Sequence, residues 1–150
     1  MLSATAEYAL RAILTLVRVT SADADAGTEL VAMRADAIAD AIGAPRNYLA
    51  KTLNVLAKAG LLASTRGPAG GFALAVAPET LTIAQIVDLF DEPRRMPVCL
   101  LGARPCNAAA PCRAHRRWTE ITAARRLPYA STTVADLLDA RTSLSDIVAA

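Results

Sequence analysis

Pro45-Arg46-Asn47-Tyr48-Leu49-Ala50-Lys51-Thr52-Leu53-Asn54-Val55-Leu56-Ala57-Lys58-Ala59-Gly60 carries two stripes at helical spacing. Leu49, Leu53 and Leu56 stand at i, i+4 and i+7 and share one face of a helix. Asn47, Lys51, Asn54 and Lys58 keep the same rhythm and, at roughly 100° per residue, fall on nearly the opposite face. Pro45 suits the first helical turn, where its missing N–H costs nothing, and Gly60 suits the position just past the end. One face therefore predicts a core contact. The other offers amides and ammonium groups, which suit base edges and phosphates. A plain solvated face usually mixes charges, yet from Pro45 to Pro78 the chain has Arg46, Lys51, Lys58 and Arg66 and no acid.

The flanks give this helix a context. Upstream, Arg34 to Ala41 predicts a short helix with Ile38 and Ile42 inward, stopped by Gly43, so the pair reads as a helix-turn-helix. Downstream come Leu61 to Arg66, then Gly67-Pro68-Ala69-Gly70-Gly71, then Phe72 to Val76. Phe72, Leu74 and Val76 alternate inward at strand period, and the Gly/Pro segment is a hairpin tip. A hairpin directly after a helix-turn-helix is a wing, and Arg66 at its base can enter a minor groove. A phosphate cradle is disfavoured, because the tip lacks the Gly-Lys-Ser/Thr end of a P-loop and no helix starts on it.

Farther out, Thr5 to Thr20 predicts a helix buried on more than one side, followed by a small, acidic loop from Ser21 to Gly27. Thr82-Ile83-Ala84-Gln85 is a capping box opening a helix that points Ile83, Ile86, Val87 and Phe90 inward and ends at Pro93. A further helix is expected from about Pro111 to Leu127, with Trp118 and Ile121 on one side. Thr133-Val134-Ala135-Asp136 caps a last short one. The fold expected is mainly α with a small β-wing: a winged helix-turn-helix domain over 1–92, a cysteine-rich loop over 93–117, and a long helix with a C-terminal helix over 111–150.

The 150 residues carry a net charge of only +2. No apolar stretch approaches a transmembrane span and no export signal opens the chain, so a soluble cytoplasmic protein with no membrane partner is expected. All three cysteines, Cys99, Cys106 and Cys112, fall in one short window, and His115, the sole histidine, follows three residues later. In a reducing compartment such a group reads as metal-binding or redox-active before it reads as a disulfide. Soft thiolates select zinc, copper(I) or iron–sulfur clusters. Only Cys112 and His115 have the close spacing of a zinc knuckle, and the wider gaps suit a loop around a larger object. Spacing alone leaves a cluster, zinc and free redox thiols open. From Pro93 to Thr119 there are six arginines and no acid, a setting that favours thiolates. An enzyme with a cysteine nucleophile is disfavoured, because His115 is the one available base and no carboxylate in that stretch orients it. An iron–sulfur electron-transfer or carrier protein would use the cysteines but would leave the Asn47, Lys51 and Asn54 face and the wing without a purpose.

Glu7-Tyr8-Ala9-Leu10-Arg11, Tyr48-Leu49-Ala50-Lys51 through Leu56, Ala59-Gly60-Leu61, and above all Ser64-Thr65-Arg66-Gly67-Pro68-Ala69-Gly70-Gly71-Phe72-Ala73-Leu74-Ala75 resemble the BadM-type (Rrf-two) winged-helix transcriptional regulators. The resemblance covers 1–92 well. It implies a homodimer on a partly palindromic double-stranded operator, most often as a repressor, with the recognition helix in the major groove and the wing in the minor groove. Asn47, Lys51 and Asn54 would then read or position, Arg46 and Lys58 would mostly meet phosphate, and Arg66, Gly67 and Gly70 would serve the wing. The helix after the cysteines would be the main dimer contact. Cluster-binding members carry three cysteines in this loop, which implies an iron–sulfur cluster on Cys99, Cys106 and Cys112, sensitive to redox state, nitric oxide or iron–sulfur status. Their first gap is commonly five residues, whereas this chain has six. IscR-like members place a histidine where His115 stands and hold a 2Fe–2S cluster. NsrR-like members use a carboxylate of the first helix, where Glu7 stands, and hold a 4Fe–4S cluster. The reading favours His115 and 2Fe–2S, with a zinc or cluster-free thiol regulator as the alternative.

Overall fold

The computed structural model describes residues 2–22, 31–67, 70–91, 107, 109–124 and 126–139. The chain opens with α1 (Ala4–Ala22), in which Ala6, Ala9, Ala12, Ile13 and Leu16 are fully buried. Small alanines on one side let neighbouring helices approach, while Ile13 and Leu16 fill the centre. The Ser3 hydroxyl accepts the Ala6 N–H at 3.2 Å, and the Ser3 N–H donates to an Asp91 carboxylate oxygen at 3.0 Å.

Next come α2 (Ala35–Ile42) and α3 (Arg46–Lys58). Between them Gly43 takes the left-handed conformation (φ 67°), and the Ala44 N–H bonds back to the Ala39 carbonyl at 2.9 Å. Glycine reaches that conformation without the penalty a Cβ would bring. Pro45 lies one position earlier than expected. It is the N-cap, with extended backbone (ψ 121°), and its carbonyl accepts from the N–H groups of Tyr48 and Leu49. At the other end, Gly60 N–H bonds to the Ala57 carbonyl and Leu61 N–H to the Leu56 carbonyl, both at 3.0 Å. This is the double closure of a Schellman turn.

The wing is β1 (Leu62–Thr65) paired antiparallel with β2 (Gly71–Leu74), with Leu62 opposite Leu74 and Thr65 opposite Gly71. It departs from simple alternation, since Phe72, Ala73 and Leu74 are all buried. Val76 lies beyond the strand and is half-buried, at a bend that follows Ala75, whose N–H still bonds to the Leu61 carbonyl. The outer edge of β2 is occupied too. Met33 and Phe72 exchange both backbone hydrogen bonds, at 2.9 and 2.8 Å.

The capping box at Thr82 forms at the start of α4 (Ile83–Val87): the Gln85 N–H donates to the Thr82 hydroxyl and the Gln85 side chain accepts from the Thr82 N–H. The helix expected from Pro111 to Leu127 is instead two, α5 (His115–Ala124) and α6 (Leu127–Ser131), with a turn at Arg126. Pro128 explains the break, since within a continuous helix it would lack a donor and crowd the preceding turn. The chain then returns to the first part of the fold. Ile83 N–H bonds to the Thr132 carbonyl, Val134 N–H to the Leu81 carbonyl and Ala135 N–H to the Pro78 carbonyl. The last helix, α7 (Val134–Asp139), is capped by a Thr133–Asp136 box, and Val134 is fully buried in the same core as Ile13, Leu16, Leu53 and Leu56. Among the described residues, no helix is long and apolar enough to cross a membrane.

Candidate nucleic-acid interface

The two stripes of α3 are separated in space as their spacing requires. Leu49, Leu53 and Leu56 are completely buried, and Asn47, Lys51, Asn54 and Lys58 are all exposed. The Asn54 amide nitrogen donates to the Ala50 carbonyl at 2.9 Å, so this side chain lies along the helix. Tyr48 braces the first turn of α3 against α1. Its ring meets Tyr8 edge-on, with centroids 6.1 Å apart, and its hydroxyl is hydrogen-bonded to that of Thr5.

Arg46 is the first residue of α3. Its Nε and Nη2 donate to the two carboxylate oxygens of Asp40, at 3.0 and 2.7 Å. These hydrogen bonds, with the charge of Asp40, raise the Arg46 pKa above its ordinary value. Beside it, Arg34 Nε meets Asp36 at 3.3 Å. The Asp36 carboxyl is lowered, chiefly by accepting the Ala37 N–H and secondly by the charge of Arg34, against the cost of desolvation. An open groove of about 430 Å³ runs between the starts of α2 and α3 and the wing, lined by Arg34, Arg46, Asn47, Thr65, Gly67 and Gly70 among others. Lys51, Asn54 and Lys58 continue along the exposed face of α3, and Arg66 is exposed just after β1. The acids that meet the arginines were missed in a reading along the chain. They lie before Pro45, outside the acid-free stretch, and the Gly43 turn brings them across. The spacing of Asp36 and Asp40, i and i+4 on α2, was the available signal.

Just before α5, Cys112 is exposed and its carbonyl accepts the His115 N–H at 3.0 Å. Cys112 and His115 therefore share one turn at the head of α5, with His115 half-buried, Arg113, Arg116 and Arg117 close by in sequence and exposed, and Arg116 Nη1 3.9 Å from Glu120 Oε1. Cys99 and Cys106 lie outside the described residues, and among the described residues no three potential ligands converge. The described donors nevertheless fit the chemistry of a soft metal or cluster, one thiol and one imidazole in a setting with no acid before Glu120. Glu7 on α1 is exposed and ion-paired to Arg11 at 3.3 Å. The helix that follows His115 buries no residue: Ile121 is 58% exposed and Trp118 half-buried.

Comparisons with known proteins agree with this architecture. The family model described as Rrf2, iron-dependent transcriptional regulator, matches residues 2–140. An rrf2-like protein of Rhodobacter capsulatus, named as an HTH-type transcriptional regulator, is 31% identical over 145 residues, covering 93% of each chain. The regulator IscR of Aliivibrio salmonicida is 31% identical over 85 residues, 57% of this chain and half of that one. Among solved structures, CymR, the global cysteine regulator of B. subtilis, superposes with a TM-score of 0.71 at 25% identity, covering 91% of this chain and 95% of that one. IscR of T. potens gives 0.69 at 22% identity, covering 95% and 92%. With a helix-turn-helix, a wing and a family model spanning nearly its whole length, the chain belongs to the Rrf2 family of DNA-binding transcriptional regulators.

Proposed function

We propose that the chain acts as a homodimeric repressor on a partly palindromic operator, and that an iron–sulfur cluster, 2Fe–2S in preference to 4Fe–4S, controls its occupancy. The observation that carries this reading is that Cys112 and His115 share one turn at the head of a helix on which Ile121 is 58% exposed among the described residues. The family description as iron-dependent regulators and the IscR relatives support it.

Asn47, Lys51 and Asn54 read or position the major groove, Lys58 meets phosphate, and Arg66 with Gly67 and Gly70 serves the wing in the minor groove. Cys99, Cys106, Cys112 and His115 hold the cluster. When bound, it supplies a redox- and nitric-oxide-sensitive link among these residues. Arg113, Arg116 and Arg117 favour the thiolate form of the cysteines. Trp118 and Ile121 pack against a second copy, so that Cys112 and His115 at the head of α5 adjoin the helix that carries the dimer contact. A shift of α5 then alters the spacing of two recognition helices that must engage their half-sites together. Glu7 is the weaker candidate for fourth ligand, because Arg11 already engages its carboxylate. The likeness to CymR, a cysteine regulator, supports a second reading, a cluster-free thiol sensor on the same fold.

Anaerobic purification with absorption spectroscopy and iron and sulfide analysis tests the proposal. A coloured protein with equal iron and acid-labile sulfide is expected. His115→Ala should shift the visible spectrum, and Glu7→Ala should leave it unchanged. A colourless protein holding stoichiometric zinc, or no metal at all, overturns the cluster while leaving DNA binding intact.

A further inference from the structure

Arg46 is held in a way that bears on what it recognises. A guanidinium has five N–H groups in one plane, and the side-on grip of Asp40 uses Nε and Nη2. The end formed by Nη1 and the second hydrogen of Nη2 meets no partner among the described residues. That end is a fork of the spacing that reads O6 and N7 of guanine in the major groove. Arg46 is also the first residue of α3, and in helix-turn-helix proteins the N-terminal residues of the recognition helix contact base edges. It lines the groove beside Asn47 and Thr65, whereas Asp40 does not line it and grips from α2.

An arginine free on its stem would be drawn to the nearest phosphate, a contact that carries no sequence information. A carboxylate that balances its charge weakens that pull. It keeps the directional N–H groups and removes rotamers that would otherwise be lost on binding. We infer that Asp40 is a specificity-determining positioning residue, holding Arg46 so that the open end of its guanidinium reads a guanine instead of meeting phosphate. This rests on α3 being the recognition helix. The neighbouring Arg34–Asp36 pair is looser, with one contact at 3.3 Å and the carboxylate shared with the Ala37 N–H, so the fixed geometry belongs to Arg46. Both partners of the Arg46–Asp40 pair are more than half exposed, and exposed pairs add little to folding. Its loss should therefore register in DNA recognition and not in thermal stability.

The test is selection from a pool of randomised duplex DNA by the wild-type protein and by Asp40→Ala, Asp40→Asn and Arg46→Ala. The enriched duplex and a random-sequence duplex are then titrated over a range of salt. The wild type should enrich a guanine at one position of each half-site. Arg46→Ala and Asp40→Ala should both lose that preference, with affinity for the enriched duplex falling on the order of tenfold. Asp40→Ala should bind the random duplex more tightly, with a log–log salt slope steeper by about one, as Arg46 becomes free to neutralise a phosphate. Asp40→Asn, which keeps one acceptor, should lie between. If Asp40→Ala retains the guanine preference and the wild-type affinity ratio, the inference is wrong. It is equally wrong if both affinities fall together with the melting temperature, which would make the pair a structural clip. If the wild type enriches no sequence at all, the recognition-helix reading itself fails.

Discussion

At Gly71 a Cβ would stand 2.4 Å from the Met33 carbonyl oxygen, far inside contact distance with an atom of the backbone. This glycine is required by the close passage of a neighbouring strand residue and not by its own turn. Gly67, by contrast, has φ 115° and is required by its conformation. Gly71→Ala should therefore destabilise the protein by about 1–3 kcal/mol, the usual range for inserting an atom where nothing can move away. Thermal unfolding of the variant would show it, and an unchanged midpoint would mean that Met33 is not held against β2. The Gly-rich tip was legible from composition alone, because turn residues announce themselves. The partner of Gly71 was not, since Met33 contributes a bridge of one residue with no period to detect. The same holds for Asp40, whose role comes from a turn that folds it against Arg46.

Among the elements, α2 and α3 were legible because each carries a period together with an end signal, whereas the wing was legible from its Gly-rich tip and not from its alternation. Ile38 and Ile42 are buried ahead of Gly43, and Leu49, Leu53 and Leu56 ahead of Gly60. The division of α5 from α6 was within reach, since Pro128 stands directly after the stretch expected as one helix and restricts the turn before it. The final helix offers a test by pH. The Asp136 carboxyl is held below its ordinary value by the Thr133 N–H first and the Thr133 hydroxyl second. A carboxyl lowered in the folded state stabilises the fold fully above its unfolded pKa, near pH 4, and loses that contribution as pH falls through the lower folded value. Asp136→Asn keeps an acceptor but cannot titrate. Its melting temperature, followed from about pH 6 down to pH 2, should decline less steeply below about pH 4 than that of the wild type. Parallel curves would show that the box at Thr133 adds nothing through its charge.

For the whole molecule, the core draws on both ends of the described chain. Leu16 and Val134 share it, and Ser3 is bonded to Asp91 while Arg126 reaches Asp88 at 2.7 Å. The box at Thr133 was legible, but its docking site was not, because the bonds from Val134 to Leu81 and from Ala135 to Pro78 are backbone pairings that any side chains could make. The proposed ligands stand out in the sequence only as residue types gathered in one window. Which carboxylate or imidazole completes it depends on placement, and the engagement of Glu7 by Arg11 is the kind of fact that spacing does not carry.

The return of the chain at Thr132 has a further consequence. The segment that carries the cysteines is fastened to the same body at both its ends, at Asp91 and again from Thr132 to Ala135. It is a handle with two rivets, not a tail. Severing it should leave the pieces together: residues 1–98 and 99–150, expressed as two chains, should co-purify and part only in denaturant. Separation in native buffer would show the second rivet to be weak. Under the proposed function, a change at the thiols would reach the DNA-binding body through two fixed points, and a cut between them would break that link without freeing either piece.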